Sequence, residues 1–204
     1  DNNPYQDIDL ACRKLIYGNH KVCGLTDEKY ASAAANAGAR FGGLIFAEKS
    51  PRFVTKDQAL NIIKAMPKLE YVGVFVNHER NDIIDLVKTL KLSAVQLHGS
   101  EDEQYIEALT KDLAQSDCSF CQIWQASPVA NSVPLLSDKV NQHVLDGQSP
   151  GSGQAFDWQV LALTEQDLSS SFLAGGLNTE NINQGLEQLT HLDLFGLDLN
   201  SGVE

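Results

Sequence analysis

Eight short apolar runs, each separated from the next by a longer stretch, constrain this chain more than any other feature. They fall near 20–25 (HKVCGL), 41–46 (FGGLIF), 71–76 (YVGVFV), 93–97 (SAVQL), 120–126 (FCQIWQA), 141–146 (NQHVLD), 171–174 (SFLA) and 194–199 (LFGLDL). Their length and β-branched, aromatic content read as strands. Helical spacing fills 27–37, 56–66, 79–90, 101–114 and 179–189, with shorter patterns at 129–138 and 157–164. Thr55, Ser100 and Asn178 stand where helix N-caps belong. Alternating strand and helix implies parallel strands joined by crossover helices. Eight strands in 204 residues favour a closed (β/α)8 TIM barrel over an open doubly wound sheet, although periodicity alone does not separate the two. Residues 5–17 (YQDIDLACRKLIY) read as an amphipathic helix ahead of the first strand.

The net charge is −12. A phosphate-backbone binder needs a basic surface, so nucleic acid is not an expected partner. An acidic protein can still hold one small phosphate through backbone amides and helix N-termini. No apolar run approaches the ~18 residues needed to span a membrane, and no basic segment followed by an apolar core opens the chain. The chain begins with Asp, and the expectation is a processed or excised piece. Among the four cysteines only Cys118 and Cys121 have metal-like or redox-like spacing, and no second pair completes a zinc site. The expectation is reduced thiols, no metal and a cytoplasmic protein.

In parallel α/β folds ligands sit at the carboxyl ends of strands. The polar residues there are Lys21 and Cys23 on the first run, then Lys49, Ser50 and Arg52 after the second. Gln96 and His98 follow on the fourth, Asp146 on the sixth, and Asp198 and Asn200 on the eighth. Lys21 and Cys23 are two apart and share one strand face. An outward pair would mean little. An inward pair sets an ammonium near a thiol, which favours the reactive thiolate. Each residue also has an ordinary reading. A strand cysteine is most often a small buried hydrophobe, Asp146 before glycine starts a turn, and Asp198 with Lys21 makes a barrel-closing ion pair. Glycines at 151, 153, 175, 176 and 202 follow the last three runs. They let backbone amides approach an anion, and barrels commonly bind phosphate after strands seven and eight.

Seven blocks in order carry a family resemblance: KVCGLT (21–26), GGLIFAEKSPRFV (42–54), VGVFVN (72–77), AVQLHGSE (94–101), VLDGQSPGSGQAFDW (144–158), LAGGLNTEN (173–181) and GLDLNSGVE (196–204). The chain resembles phosphoribosylanthranilate isomerase, and the 5–17 helix resembles the segment that joins it to indole-glycerol-phosphate synthase in bifunctional enzymes. The resemblance implies a linker at 1–19 from a preceding synthase domain, and a barrel over 20–204 that lacks its last turn and helix. A separate expectation is that the 5–17 helix packs over the resulting gap. The implied reaction is a cofactor-free Amadori rearrangement of a phosphoribosyl anthranilate in tryptophan biosynthesis. By motif match Cys23 is the base and Asp146 the acid. Lys21, Arg52, Gln96, His98 and Asp198 line the substrate, with Arg52 on the anthranilate carboxylate and Asp198 beside either the ribose or Lys21. Gly153, Gly175, Gly176, Asn200 and Ser201 bind the phosphate. Gln125 stands where relatives often carry lysine, which implies one charge missing near the site. Two rivals stand beside this reading: another phosphosugar barrel, and a catalytically dead docking domain.

Overall fold

A computed structural model describes residues 18–147, 156–189 and 191–203. The expected linker helix at 5–17 and Gly153 lie outside the described residues. Eight parallel strands run in the order β1 to β8 as a closed barrel. They are β1 (Asn19–Val22), β2 (Phe41–Ile45), β3 (Glu70–Phe75), β4 (Ala94–Leu97), β5 (Gln122–Val129), β6 (Gln142–Gly147), β7 (Ser171–Leu173) and β8 (Gly196–Leu199). The helices are α1 (Glu28–Asn36), α2 (Lys56–Ala65), α3 (Arg80–Leu90), α4 (Glu103–Gln115), α5 (Gln159–Ala162) and α6 (Ile182–Gln188). A 3-10 turn at Ser201–Val203 follows β8. Among the described residues no helix is long and apolar enough to cross a membrane. Two compact units divide the chain, Asp1–Ile123 and Trp124–Glu204.

In the first unit the helices bury residues three and four apart: Ile83, Ile84, Val87 and Leu90 on α3, then Ile106, Leu109 and Leu113 on α4. That spacing is one face of a helix. Thr55 caps α2 through a full capping box with Gln58. The expected cap at Ser100 is instead Asp102, whose carboxylate accepts the Tyr105 N–H at 2.8 Å. The Ser100 N–H and hydroxyl donate to Asn77, which leaves the cap to the next residue able to turn back on the helix. The strand register is Val72 with Ala94 and Val74 with Gln96. The Tyr71 hydroxyl donates to the carbonyl of Met66, just past α2, at 2.7 Å. Tyr71 therefore faces the helices, and its neighbours in the pleat face the barrel interior. Arg40 ties the amino ends of three strands, donating to Asn19 and Glu70 at 2.6 Å each.

In the second unit Val129, Leu145, Leu173 and Leu197 come from four successive strands. They pack with Trp158, Leu161, Leu177 and Leu189 in one apolar cluster. The alternate positions carry Trp124 and Phe172 on the opposite face, their ring centroids 4.9 Å apart and their planes tilted by 35°. The expected helix at 129–138 is absent. β5 extends to Val129, and Pro134, which lacks an N–H and pushes its predecessor from helical angles, lies in the following loop. The expected helix at 157–164 shortens to α5. Asn178 does not cap α6 directly, since the N-cap residue is Asn181. The Asn178 carboxamide instead accepts the N–H groups of Glu180 and Asn181, holding the turn that leads into the helix.

Beneath the β5–β6 loop a histidine is buried with its ring fully engaged. His143 Nε2 lies 3.0 Å from the Ser137 carbonyl and Nδ1 lies 2.9 Å from the Ser127 hydroxyl. A carbonyl only accepts, so Nε2 carries the hydrogen and Nδ1 accepts from Ser127. Burial lowers the His143 pKa, against a smaller opposing effect of the Ser137 carbonyl. His20 is lowered by burial in the same direction. The unfolded chain thus binds protons that the folded chain resists. Stability is full above the ordinary histidine pKa of 6.5 and falls as pH drops below it. Urea midpoints measured between pH 7.5 and 5 should decline, and His143→Gln should flatten that decline while His20 keeps part of it.

Candidate active site

The pleat answers where the first-strand pair points. Lys21 lies opposite Phe41 and Val22 opposite Gly42. In the next pair Gly42 lies opposite Tyr71, which faces the helices. Lys21 and Cys23 therefore share the interior face, and Lys21 is 0 % exposed. β1 closes at Val22, one residue earlier than needed to include Cys23, so the thiol sits on the first residue past the strand. Gly24 follows with φ 81°, and its N–H and that of Leu25 both donate to the Gly43 carbonyl at 3.0 Å.

β2 is followed by a loop that folds back on its own strand. Phe53 bridges to Ile45, and the Val54 N–H donates to the Ile45 carbonyl at 2.9 Å. Arg52 rides on this loop, its N–H directed at the Ser50 hydroxyl at 3.2 Å. On β4 the expected pair meets: Gln96 Nε2 lies 3.3 Å from His98 Nδ1. Gln96 is buried, and its Oε1 has no hydrogen-bond partner among the described residues. The carboxamide N–H donates to Nδ1, which leaves the His98 hydrogen on Nε2 when the ring is neutral.

Glu101 holds the two loops beside His98, and sequence reasoning missed it. Its carboxylate accepts the Asn77 N–H at 2.6 Å and the Gly99 N–H at 2.8 Å, one oxygen each. Asn77 is at φ 52°, a left-handed angle held by that bond and by the Ser100 contacts. A glutamate just before a helix reads as ordinary first-turn acid, so a single sequence offers no signal for this role.

In the second unit Asp146 alternates with Leu145 of the apolar cluster and so faces the interior. Its Oδ1 accepts the Gly147 N–H at 2.7 Å. Gly175, at φ 77°, lies against the same carboxylate: a Cβ there would stand 2.9 Å from Asp146 Oδ1 and 2.9 Å from the Gly147 nitrogen. Gly176 follows at φ 65°. Both angles favour glycine. Asp198 alternates with Leu197 and Leu199 of the helix side and shares the interior face. Asn200 Oδ1 is buried with no hydrogen-bond partner among the described residues. Ser201 opens the 3-10 turn, and Gly202 packs against the Leu177 carbonyl with no room for a side chain. The Gln125 expectation needs correction. Gln125 pairs with His143, on the helix side, so it lies on the face opposite Asp146 and removes no charge from it. Cys118 and Cys121 are buried, not in a disulfide, and burial pushes the Cys121 thiol up to about 12, which makes it inert. Among the described residues no group of His, Cys, Asp or Glu could hold a metal ion.

Parallel strands alternating with helices, with acidic, basic and thiol groups at the strands' carboxyl ends, define a (β/α)8-barrel enzyme scaffold. The chain belongs to the N-(5'-phosphoribosyl)anthranilate isomerase family, whose model matches residues 20–204. It is similar to the tryptophan biosynthesis protein TrpCF of Vibrio cholerae, with 45 % identity over 97 % of this chain and 40 % of that protein. The Salmonella typhi TrpCF is 43 % identical over 98 % of this chain and 42 % of that protein. The chain thus spans about 40 % of the length of the curated relatives it matches. The phosphoribosyl anthranilate isomerase structure from Thermus thermophilus aligns with TM-score 0.75 and 31 % identity, over 91 % of this chain and 88 % of that one. Another isomerase structure, in complex with reduced 1-(o-carboxyphenylamino)-1-deoxyribulose 5-phosphate, aligns with TM-score 0.68 and 28 % identity over the same shares.

Glu101→Gln puts an N–H against a backbone N–H. Losing one charged hydrogen bond there should cost about 2 kcal/mol of stability. Urea denaturation at pH 7.5 measures it.

Proposed function

We infer that this chain catalyses the isomerisation of N-(5-phosphoribosyl)anthranilate to 1-(2-carboxyphenylamino)-1-deoxyribulose 5-phosphate. The observation that carries this reading is the match of the family over residues 20–204. The residue roles rest on where each side chain stands on its strand. Cys23 is the general base and Asp146 the general acid. Asp146 protonates the furanose ring oxygen, and the ring opens to an iminium. The Cys23 thiolate then takes the C2′ proton, and the resulting enolamine tautomerises to the ketone. A thiol must ionise to act as a base, and a nearby cation favours that. Lys21 supplies one from the same face of β1. Positioned acid and base groups then divide two proton transfers between them.

Arg52 binds the anthranilate carboxylate with its planar fork. Gln96 and His98 line the sugar, and Gln96 Oε1 offers an acceptor to a ribose hydroxyl. Asp198 completes the polar lining beside the ribose or Lys21. Gly175, Gly176, Asn200 and Ser201 hold the phosphate through main-chain N–H groups, supported by the left-handed angles at Gly175 and Gly176, and Gly153 is assigned to it by motif alone. A fused indole-glycerol-phosphate synthase domain is the expected neighbour, supported by the share of the longer relatives that this chain spans. The compartment is the cytoplasm.

Loss of the fluorescent anthranilate riboside, followed with the purified protein, tests the activity, and an unchanged signal would end this reading. Cys23→Ala and Asp146→Ala should each lower turnover roughly 10²–10⁴-fold with folding intact. Arg52→Ala should raise KM more than it lowers turnover.

A further inference from the structure

We propose that Gly43, on β2, is the positioning residue that seats the Cys23 thiol. This rests on the reading of Cys23 as the general base. The β1–β2 register sets Val22 opposite Gly42 and so carries Cys23 alongside Gly43. A Cβ on Gly43 would stand 2.7 Å from Cys23 Sγ, 2.9 Å from its Cα and 3.2 Å from its Cβ. Ordinary contacts between such atoms are ~3.5–4.0 Å. Turning the thiol about its own bond would relieve only the first of these. The second is main chain, so a methyl group at Gly43 pushes the exit of β1 away from β2.

The same residue also holds that exit from the backbone side. Its carbonyl accepts both the Gly24 and the Leu25 N–H at 3.0 Å. Cys23 is therefore set by a main-chain clamp and by the notch of a missing side chain, both on one residue. Backbone conformation does not call for glycine at Gly43, which is absent from the positive-φ glycines. The requirement is space. Glycine weakens a strand interior, and its use there commonly marks another group approaching closely. Gly42 is a natural control. A Cβ on it would meet Leu25 Cδ1 at 2.8 Å, Leu69 Cδ1 at 3.1 Å and Tyr71 Cε1 at 3.3 Å, all side-chain atoms on the helix side.

Proton abstraction depends on a near-attack geometry, and a displacement of ~1 Å costs on the order of 10²-fold in rate. The test uses the full-length protein and three variants: Gly43→Ala, Gly42→Ala and Cys23→Ala. Turnover and KM are measured for each. Alkylation of Cys23 by iodoacetamide is followed by peptide mass from pH 6 to 10 wherever the thiol remains. Gly43→Ala should lose about 10²-fold in turnover with KM nearly constant, and the midpoint of its alkylation profile should move. Gly42→Ala should keep turnover and the alkylation profile, whatever it does to the melting temperature. A folded Gly43→Ala with wild-type turnover and alkylation, beside an inactive Cys23→Ala, overturns the role of Gly43 and leaves the base assignment standing. An active Cys23→Ala overturns the base assignment itself. If Gly43→Ala does not fold, the double variant with Cys23→Ala decides. Folding of the double variant supports the sulfur contact, and failure of both makes Gly43 purely structural and ends the proposal.

Discussion

A strand covered on both sides has two surroundings, and the two-residue pleat assigns each side chain to one of them. The directions of Lys21, Gln96, Asp146 and Asp198 depend on that assignment. Tyr71 reaches back to the α2 end, so Val72 and Val74 turn inward, and their partner Gln96 turns with them. Leu145 enters the apolar cluster, so Asp146 cannot. Leu197 and Leu199 do the same for Asp198. A slip of one residue in β6 or β8 would exchange a leucine with a carboxylate and leave a charge among the helices. The hydrophobic packing of the outer layer thus aims the polar residues of the inner one.

Close approach is the second recurring device. Both groups given proton-transfer roles lie against a glycine of the next strand or its exit loop: Cys23 against Gly43 and Asp146 against Gly175. The two glycines differ in kind. Gly175 is also required by its left-handed backbone, whereas Gly43 answers only to crowding. Neighbouring main chain limits where the thiol and the carboxyl can go more tightly than side-chain packing would. Rigid seating of this sort suits the proton-transfer roles proposed for them.

Much of the architecture was legible because its determinants are local. Short apolar runs bounded by helical patterns placed all eight strands, and Thr55 stood out as the N-cap that the structure contains. The inward direction of Lys21 was left open by the sequence, since two-residue spacing says that a pair shares a face but not which face. The Tyr71 anchor decides it, and that is a contact across the fold. The segment at 129–138 misled because helical spacing there outvoted Pro134. Gln125 looked like a lost charge until the β5–β6 register put it beside His143. Glu101 was illegible for a plainer reason: its partners are main-chain amides, and amides have no letter in a sequence.

The Glu101 carboxylate spans two loops that leave adjacent strands, with one oxygen on each. Loops at a barrel mouth ordinarily fluctuate one by one, each about its own hinge. Here a single charged crosspiece yokes the β3 exit to the β4 exit, and Asn77 is further pinned to Ser100. His98 stands at the base of that frame, its N–H donating to the Phe75 carbonyl at 2.8 Å. Motion on this side of the rim is therefore coupled: the two loop exits move together, and the His98 main chain moves with them.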